Sequence, residues 1–249
     1  MYNYNKEAKL KIYISCAIIF GIFIGSGNLI KADIEKILPI YSVNTEEKQI
    51  ALTFDVAWGD EDFEDVMRVL EENEVKATFF LVGDWAKKFP EHVKTLAEKG
   101  HDIGNHSNTH PHVTKMTKAE IETDIKAAHE IVKEITGLDM DLYRPPYGEY
   151  NNDVIKAAEA CKYFTIQWDV DSLDWKEYGK QPLIDKVLKH KNLTHGSIVL
   201  LHTGTKHTKD ALEEIIKGLK QKGYEIVPTS QMIMREDYKV DHTGRQFKL

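Results

Sequence analysis

The sequence is poor in the features that identify several common classes of protein. Only two of its 249 residues are cysteine, Cys16 and Cys161. Cys16 lies in an apolar N-terminal run and Cys161 near the end of a helical pattern, so we expect no disulfide between them. A domain of this length can be stable without one. The net charge of −7 argues against a broad nucleic-acid-binding face.

Several catalytic signatures are missing as well. The chain has no G-x-S-x-G elbow, so a serine hydrolase is not indicated. It also has neither a glycine-rich phosphate loop nor a dinucleotide-binding fingerprint. No internal repeat and no long stretch of Gly, Pro and Ser divides the chain beyond its N-terminus. We therefore expect one folded domain and a monomer.

Residues 1–32 have the pattern of an export signal or a membrane anchor. Lys6, Lys9 and Lys11 precede an apolar run from Ile12 to Ile30. Positive residues before such a run keep the N-terminus inside the cell, and a helix needs roughly 20 apolar residues to span a bilayer. We expect an exported protein at the cell surface, either membrane-anchored or secreted. The sequence leaves both alternatives open.

The rest of the chain predicts an α/β domain over residues 48–230, between a linker at 33–47 and a polar tail at 231–249. Apolar strand patterns alternate with helical periodicity, as in parallel βα units. The predicted strands are 50–54, 76–82, 101–104, 142–144, 163–168, 197–201 and 224–227. The pattern fits an α/β barrel, and it does not exclude a doubly wound open sheet.

Polar side chains follow the ends of several predicted strands: Asp55, His106, His110, Arg144, Asp174 and His202. Both α/β architectures place their ligands at the carboxyl ends of the strands. A metal ion there would activate a water molecule for hydrolysis, a carboxylate such as Asp55 would take the proton of that water, and His202 would protonate the leaving group. Glycoside cleavage by Asp55 and Asp174 is an alternative that leaves the histidines without a role.

The segment from Gly100 to His112 contains four histidines in thirteen residues. His106 and His110 stand four residues apart, so a helical turn or a tight loop can direct both imidazoles at one point. Two imidazoles fill half of the tetrahedral shell that zinc prefers. On spacing alone, a polar surface loop that is rich in histidine explains the segment equally well.

Together, five segments resemble the ordered motifs of the polysaccharide deacetylases, the NodB-like carbohydrate esterases of family 4. The resemblance extends over about residues 48–230. Within the family, Trp58-Gly59 resembles a branch found in spore-forming bacteria. The five segments are 53–55 (TFD), 106–110 (HSNTH), 144–148 (RPPYG), 171–175 (DSLDW) and 200–202 (LLH).

The resemblance implies a distorted (β/α)7 barrel that removes acetyl groups from an N-acetylated polysaccharide such as peptidoglycan or a chitin-like chain. By position, Asp55 would be the catalytic base, oriented by Arg144. His202 would be the general acid, with Asp174 positioning and charging it. The backbone N–H of Tyr147 would help to hold the oxyanion.

The same resemblance implies a metal site and an acetyl pocket. His106 and His110 would bind a divalent metal ion, zinc by expectation. The side chains of Tyr147, Trp175 and Leu200 would surround the methyl group of the acetyl.

The first motif departs from the family at one position. The family usually has a second aspartate after the base, and this aspartate is the third metal ligand; here the residue is Val56. We expect a weakly bound ion and tighter binding in Val56→Asp. Asp60 is a candidate substitute ligand, although Asp60 also fits the cap and acidic first turn of the next helix. Two further functions follow as alternatives: a glycan-binding protein or degenerate enzyme without turnover, and an esterase acting on O-acetyl groups.

Overall fold

The computed structural model describes residues 36–249, so the export signal or anchor predicted at 1–32 lies outside the described residues. Within 36–249, no helix combines the length and apolar character needed to cross a membrane. The described strands are β1 (Ser42–Val43), β2 (Gln49–Val56), β3 (Thr78–Leu81), β4 (Asp102–Asn105), β5 (Leu142–Tyr143), β6 (Phe164–Thr165), β7 (Val170–Asp171), β8 (Ile198–His202), β9 (Glu225–Ile226), β10 (Tyr238–Val240) and β11 (Arg245–Lys248).

Helices connect most of these strands. The α-helices are α1 (Phe63–Glu72), α2 (Gly83–Lys88), α3 (Pro90–Glu98), α4 (Lys118–Thr136), α5 (Asn152–Ala160), α6 (Lys180–Leu188), α7 (Thr208–Gln221) and α8 (Thr229–Met232). Helix α4 has a recognisable cap at each end. Thr117 and Glu120 form a capping box at its start, and Gly137 ends it with a positive φ of 74°.

Seven parallel strands form the main sheet in the order β6-β5-β4-β3-β2-β8-β7, and β9 pairs with the beginning of β2. The sheet curls into a barrel that is not closed by pairing between β6 and β7. This architecture confirms the predicted α/β fold of the distorted (β/α)7 type. The two-residue strand β7 was not predicted, because two residues are too few to show any periodicity.

Strand β2 lies at the centre of this sheet and is buried along nearly its whole length. Its side chains alternate between two apolar clusters, as successive residues of a strand must. Phe54 and Val56 belong to the cluster that includes the buried faces of the helices. Ala51 belongs to a second cluster, with Phe80 and Ile198. Asp55 therefore stands at the end of a rigid, fully packed strand.

Short strands form within the segments predicted as a linker and a polar tail. Strands β10 and β11 form an antiparallel pair, and β11 also pairs in parallel with β1. Ile40 and Val43 are buried, and the side chain of Gln246 is fully buried. Segments this short and polar give no periodic signal, and their strands form only because distant parts of the chain pair with each other.

We expect Gln246→Leu to destabilise the protein by about 2–4 kcal/mol. The side chain of Gln246 accepts from the N–H of Met234 at 2.8 Å and donates to its carbonyl at 2.6 Å. Leucine leaves both backbone groups without these partners. Denaturant unfolding measures the effect, and Gln231→Leu, at an exposed glutamine, is the control. Equal unfolding midpoints for the two variants would show that the segment is indeed a dispensable tail.

Candidate active site

Asp55 and Arg144 form a buried ion pair at the carboxyl end of β2. Nη1 of Arg144 donates to Oδ1 of Asp55 at 2.8 Å, and Asp55 is only 6% exposed. Burial opposes the ionisation of Asp55. The charge of Arg144, helped by His106 and His202, outweighs it and holds the pKa of the carboxyl below its usual value. Asp55 is therefore ionised and can accept a proton.

Arg144 makes further contacts through its two terminal nitrogens and through the faces of its guanidinium. Nη1 also donates to Oγ1 of Thr53 at 2.8 Å, and Nη2 donates to the carbonyl oxygen of Gln167 at 3.1 Å. The guanidinium lies 4.1 Å from the ring centre of Phe80 and 5.5 Å from that of Trp168. A fully buried guanidinium with these partners has a fixed orientation, and it fixes the orientation of Asp55.

The imidazole of His106 is oriented by the backbone carbonyl of Arg144. Its Nδ1 lies 2.7 Å from the carbonyl oxygen of Arg144, which can only accept, so Nδ1 carries the proton. Nε2 is then free of hydrogen and lies 3.5 Å from Oδ2 of Asp55. Burial lowers the pKa of His106 despite the neighbouring carboxylate. A neutral imidazole with its second nitrogen held by a carbonyl is the form in which histidine binds a metal.

His110 lies beside His106, with 5.0 Å between the ring centroids. Burial, reinforced by the nearby His106, lowers the pKa of His110 to about 4. The tight loop that brings them together contains two residues with positive φ, 71° at Ser107 and 58° at His110. Two neutral imidazoles thus converge, as their spacing predicts.

Asn105 and Ser107 hold this loop in shape. The side chain of Asn105 accepts from the N–H of Ser107 at 2.9 Å, and Oγ of Ser107 accepts from the N–H of His110 at 2.9 Å. Nδ2 of Asn105 donates to the carbonyl of Ile125 in α4 at 2.8 Å. Sequence reasoning missed Asn105, because a strand-end asparagine carries no signal beyond its place next to a motif.

His202 and Asp174 form the second charged pair. Asp174 Oδ1 accepts from Nδ1 of His202 at 2.7 Å, and Oδ2 accepts from the backbone N–H of His202 at 2.7 Å and from Oγ1 of Thr208 at 2.8 Å. Burial tends to lower the pKa of His202. The hydrogen bond and charge of Asp174 outweigh it and raise that pKa above its ordinary value. His202 and Asp55 occupy paired positions on β8 and β2, so the two charged pairs are neighbours.

Two residues of the expected acetyl pocket lie on loops around these pairs, and the third lies on strand β8. Tyr147 has a φ of 59° and an exposed ring. Trp175 follows Asp174 and is also exposed. Leu200 is buried on β8 and pairs in register with Thr53, two residues before the Asp55–His202 pair. The structure brings all nine predicted site residues to the carboxyl end of the sheet.

The ring nitrogens of His106 and His110 suit a metal ion. They do not supply the third protein ligand that catalytic zinc usually has. Val56 is 1% exposed and packs in the apolar cluster with the helices. Among residues 36–249, no three His, Cys, Asp or Glu side chains are arranged to hold an ion. Asp60 lies elsewhere, with Oδ2 at 3.2 Å from Nε2 of His92.

Asp60 also makes no side-chain cap. The residue before α1 is Asp62, which has no capping hydrogen bond to the helix. Its carboxylate instead accepts from the N–H of Gly204 at 2.8 and 2.9 Å. At the start of α1, Asp60 takes part through its backbone carbonyl, which accepts from the N–H of Phe63. The N-cap residue of α1 is therefore Asp62, within the segment that the sequence predicts as a cap, and the side chain of Asp60 does not cap the helix.

The family assignment follows from comparison with known proteins. A family model described as polysaccharide deacetylase matches residues 42–166. The peptidoglycan-N-acetylmuramic acid deacetylase PdaA of Bacillus subtilis (strain 168) is 34% identical, in an alignment that covers 86% of this chain and 82% of PdaA. The chain belongs to the polysaccharide deacetylase family, which depends in general on divalent metal ions.

Two further relatives are not described as active deacetylases. The uncharacterized protein YlxY of Bacillus subtilis (strain 168) is 33% identical over 78% of this chain, and the match spans only 60% of YlxY. A solved structure from Bacillus anthracis, described as a family 4 carbohydrate esterase pseudoenzyme, superposes with a TM-score of 0.75 at 32% identity. That match covers 80% of this chain and 70% of the other. A mutant of the same pseudoenzyme is described as having restored enzymatic activity.

Proposed function

We propose that this chain removes N-acetyl groups from the glycan of peptidoglycan, with a divalent ion, zinc, held by His106 and His110. The observation that carries the proposal is the pairing of two opposed groups on adjacent strands. Arg144 keeps Asp55 ionised by lowering its pKa, and Asp174 favours the protonated form of His202 by raising its pKa. A base and an acid whose pKa values are moved in opposite directions are what amide hydrolysis needs. PdaA acts on such a polymer, as its name states.

The chain's own residues account for the proton transfers. Asp55 takes a proton from the attacking water, and the backbone N–H of Tyr147 donates to the oxygen of the tetrahedral intermediate. His202 then gives its proton to the amide nitrogen as the C–N bond breaks, which yields acetate and a free amine. The ion, when bound, would polarise the acetyl carbonyl and lower the pKa of the water. Tyr147, Trp175 and Leu200 enclose the methyl group.

A second candidate function is glycan binding without turnover. Val56 favours glycan binding without turnover, because valine supplies no oxygen at the position where the family usually has its third metal ligand. The Bacillus anthracis relative, described as a pseudoenzyme, has the same fold. The two intact charged pairs, Asp55–Arg144 and His202–Asp174, argue against a function in binding alone. Binding alone does not require a buried base and a buried acid to be paired with separate partners.

Acetate release from purified peptidoglycan tests the proposal. We expect release by the native chain in the presence of zinc, and none by Asp55→Asn, because the amide cannot take the proton. Glycan binding by both proteins without acetate from either would establish the second candidate. Release of acetate only from O-acetylated material would instead identify an esterase.

The pH profile of the reaction gives a separate prediction. A general acid must be protonated, so activity is present below the pKa of His202 and falls as the pH rises through it. Because Asp174 raises that pKa, Asp174→Asn should move the alkaline limb of kcat/KM to lower pH. The exposed Glu213→Gln is the control and should leave the limb in place. An unmoved limb in Asp174→Asn would assign it to another group.

Location follows from the substrate, since peptidoglycan lies outside the membrane. We propose that residues 1–32 direct export and associate the chain with the membrane, supported by Lys6, Lys9 and Lys11 before the apolar run. A reporter fused after Lys48 should be found outside the cytoplasm of a bacterial host. The matched control replaces the three lysines with glutamates and should reduce export. Equal cytoplasmic retention of both fusions would refute the proposal.

A further inference from the structure

Within residues 36–249, the Trp, Tyr and Phe side chains that are more than about one third exposed lie on loops at the carboxyl end of the sheet. They are Trp58 at 60%, Tyr147 at 55%, Trp175 at 52% and Tyr178 at 63%. Exposed apolar groups that cluster around a site mark a binding surface. Tyr147 and Trp175 are already part of the expected acetyl pocket. Trp58 has no assigned role.

The ring of Trp58 borders the site directly. Its centroid lies 5.4 Å from that of His110, in an edge-on arrangement. Tyr147 approaches the same imidazole, at 4.4 Å. Tyr147 also stacks on His112, with 4.4 Å between centroids and 17° between planes. The four rings form a continuous aromatic border that runs outward from His110.

The loop that carries Trp58 is fixed without help from its indole. The carbonyl of Gly59 accepts from Nε1 of Trp85 at 2.6 Å. Asp62 accepts twice from the N–H of Gly204. A Cβ on Gly204 would approach the carbonyl oxygen of Trp58 to 2.9 Å, so the two loops are in close contact there. The exposed indole is therefore not needed to hold the loop, and its position beside the site requires another reason.

We propose that Trp58 is a stacking platform for a sugar next to the one that is deacetylated, so that the site binds an extended glycan. The proposal rests on the function proposed above. The C–H groups of a pyranose form an apolar face that packs against an aromatic ring, while its hydroxyls and acetamido group remain in water. Beside His110, this platform extends the site along a polymer. A free monosaccharide held at the reacting position would not reach it.

Binding of N-acetylglucosamine oligomers of two, four and six units tests the proposal, measured by calorimetry with the full chain. The native protein should bind the longer oligomers more tightly. Trp58→Ala should weaken their binding about tenfold, and Trp58→Phe should retain most of it. Binding of single-unit N-acetylglucosamine, which does not reach Trp58, and of zinc should change little in either variant. Leu138→Ala, which removes an exposed apolar side chain elsewhere, is the control.

Three results would overturn the role of Trp58 as a platform. They are equal affinity of the native protein and Trp58→Ala for the longer oligomers, equal losses of affinity for the single unit and the oligomers, and no binding of any oligomer by the native protein. Acetate release is measured on the same native protein. Length-dependent binding through Trp58 without acetate release would leave the platform intact and refute the deacetylase function. Acetate release without that length dependence would support the deacetylase function and refute the platform.

Discussion

Replacing His202 with alanine is expected to lower kcat on peptidoglycan by about 10²–10⁴-fold while the protein still folds, because a general acid typically contributes this much. His202 stands at the end of a buried strand and is 2.7 Å from Asp174 through its Nδ1. Its other nitrogen is then available to the substrate. The measurement is steady-state acetate release, with folding checked by circular dichroism and thermal unfolding.

The loss should have the signature of a missing acid. KM should change little, and added imidazole should restore part of the rate, since a small acid can enter the space left by the ring. The control is His190→Ala, because His190 follows helix α6 and lies outside the five motifs. A folded His202→Ala protein with full activity would mean that another group donates the proton.

Val56→Asp is expected to make the stability of the protein depend on metal. Without a divalent ion, a carboxylate at this buried position should lower the free energy of unfolding by about 3 kcal/mol. With zinc, the carboxylate gains a partner, the ion gains its third protein ligand and most of the loss should be recovered by linkage. Zinc should bind this variant more tightly than it binds the native chain. Thermal unfolding with chelator or zinc, together with metal titration, measures both effects.

The neutral isostere Val56→Asn is the matched control. It introduces a similar polar shape with no charge, so zinc should restore its stability much less. If Val56→Asp is equally destabilised with and without zinc, its side chain does not reach the ion. The two imidazoles would then be the whole protein contribution to the metal site.

The α/β class was predictable from the sequence because apolar strand patterns alternate with periodic helices. Strand β2, apolar on both faces, is the clearest example. The order of the strands and the partial closure of the barrel were not predictable from these patterns. They entered only through the family resemblance. Strand β11 and Gln246 were missed because their pairing with β1 joins segments about two hundred residues apart.

The sequence predicts which residues meet at the candidate site. It does not predict how deeply each is buried or which side chains it contacts. Asp55, His106 and His202 each follow a strand, and parallel strands end at one edge of the sheet. The complete burial of Arg144 could not be predicted, because a lone arginine after a short strand is more often exposed. Neither could the contact between Asp60 and His92, which depends on how the loop before α1 folds onto α3.

The measurement that tests the central claim most directly is acetate release from purified peptidoglycan during a zinc titration of the metal-stripped native chain. The claim is that the site turns over although Val56 replaces an oxygen ligand. We expect no release with chelator, release that rises with zinc, and a weak apparent affinity typical of two protein ligands. Tight binding of the glycan with no acetate released at any zinc concentration would contradict the claim.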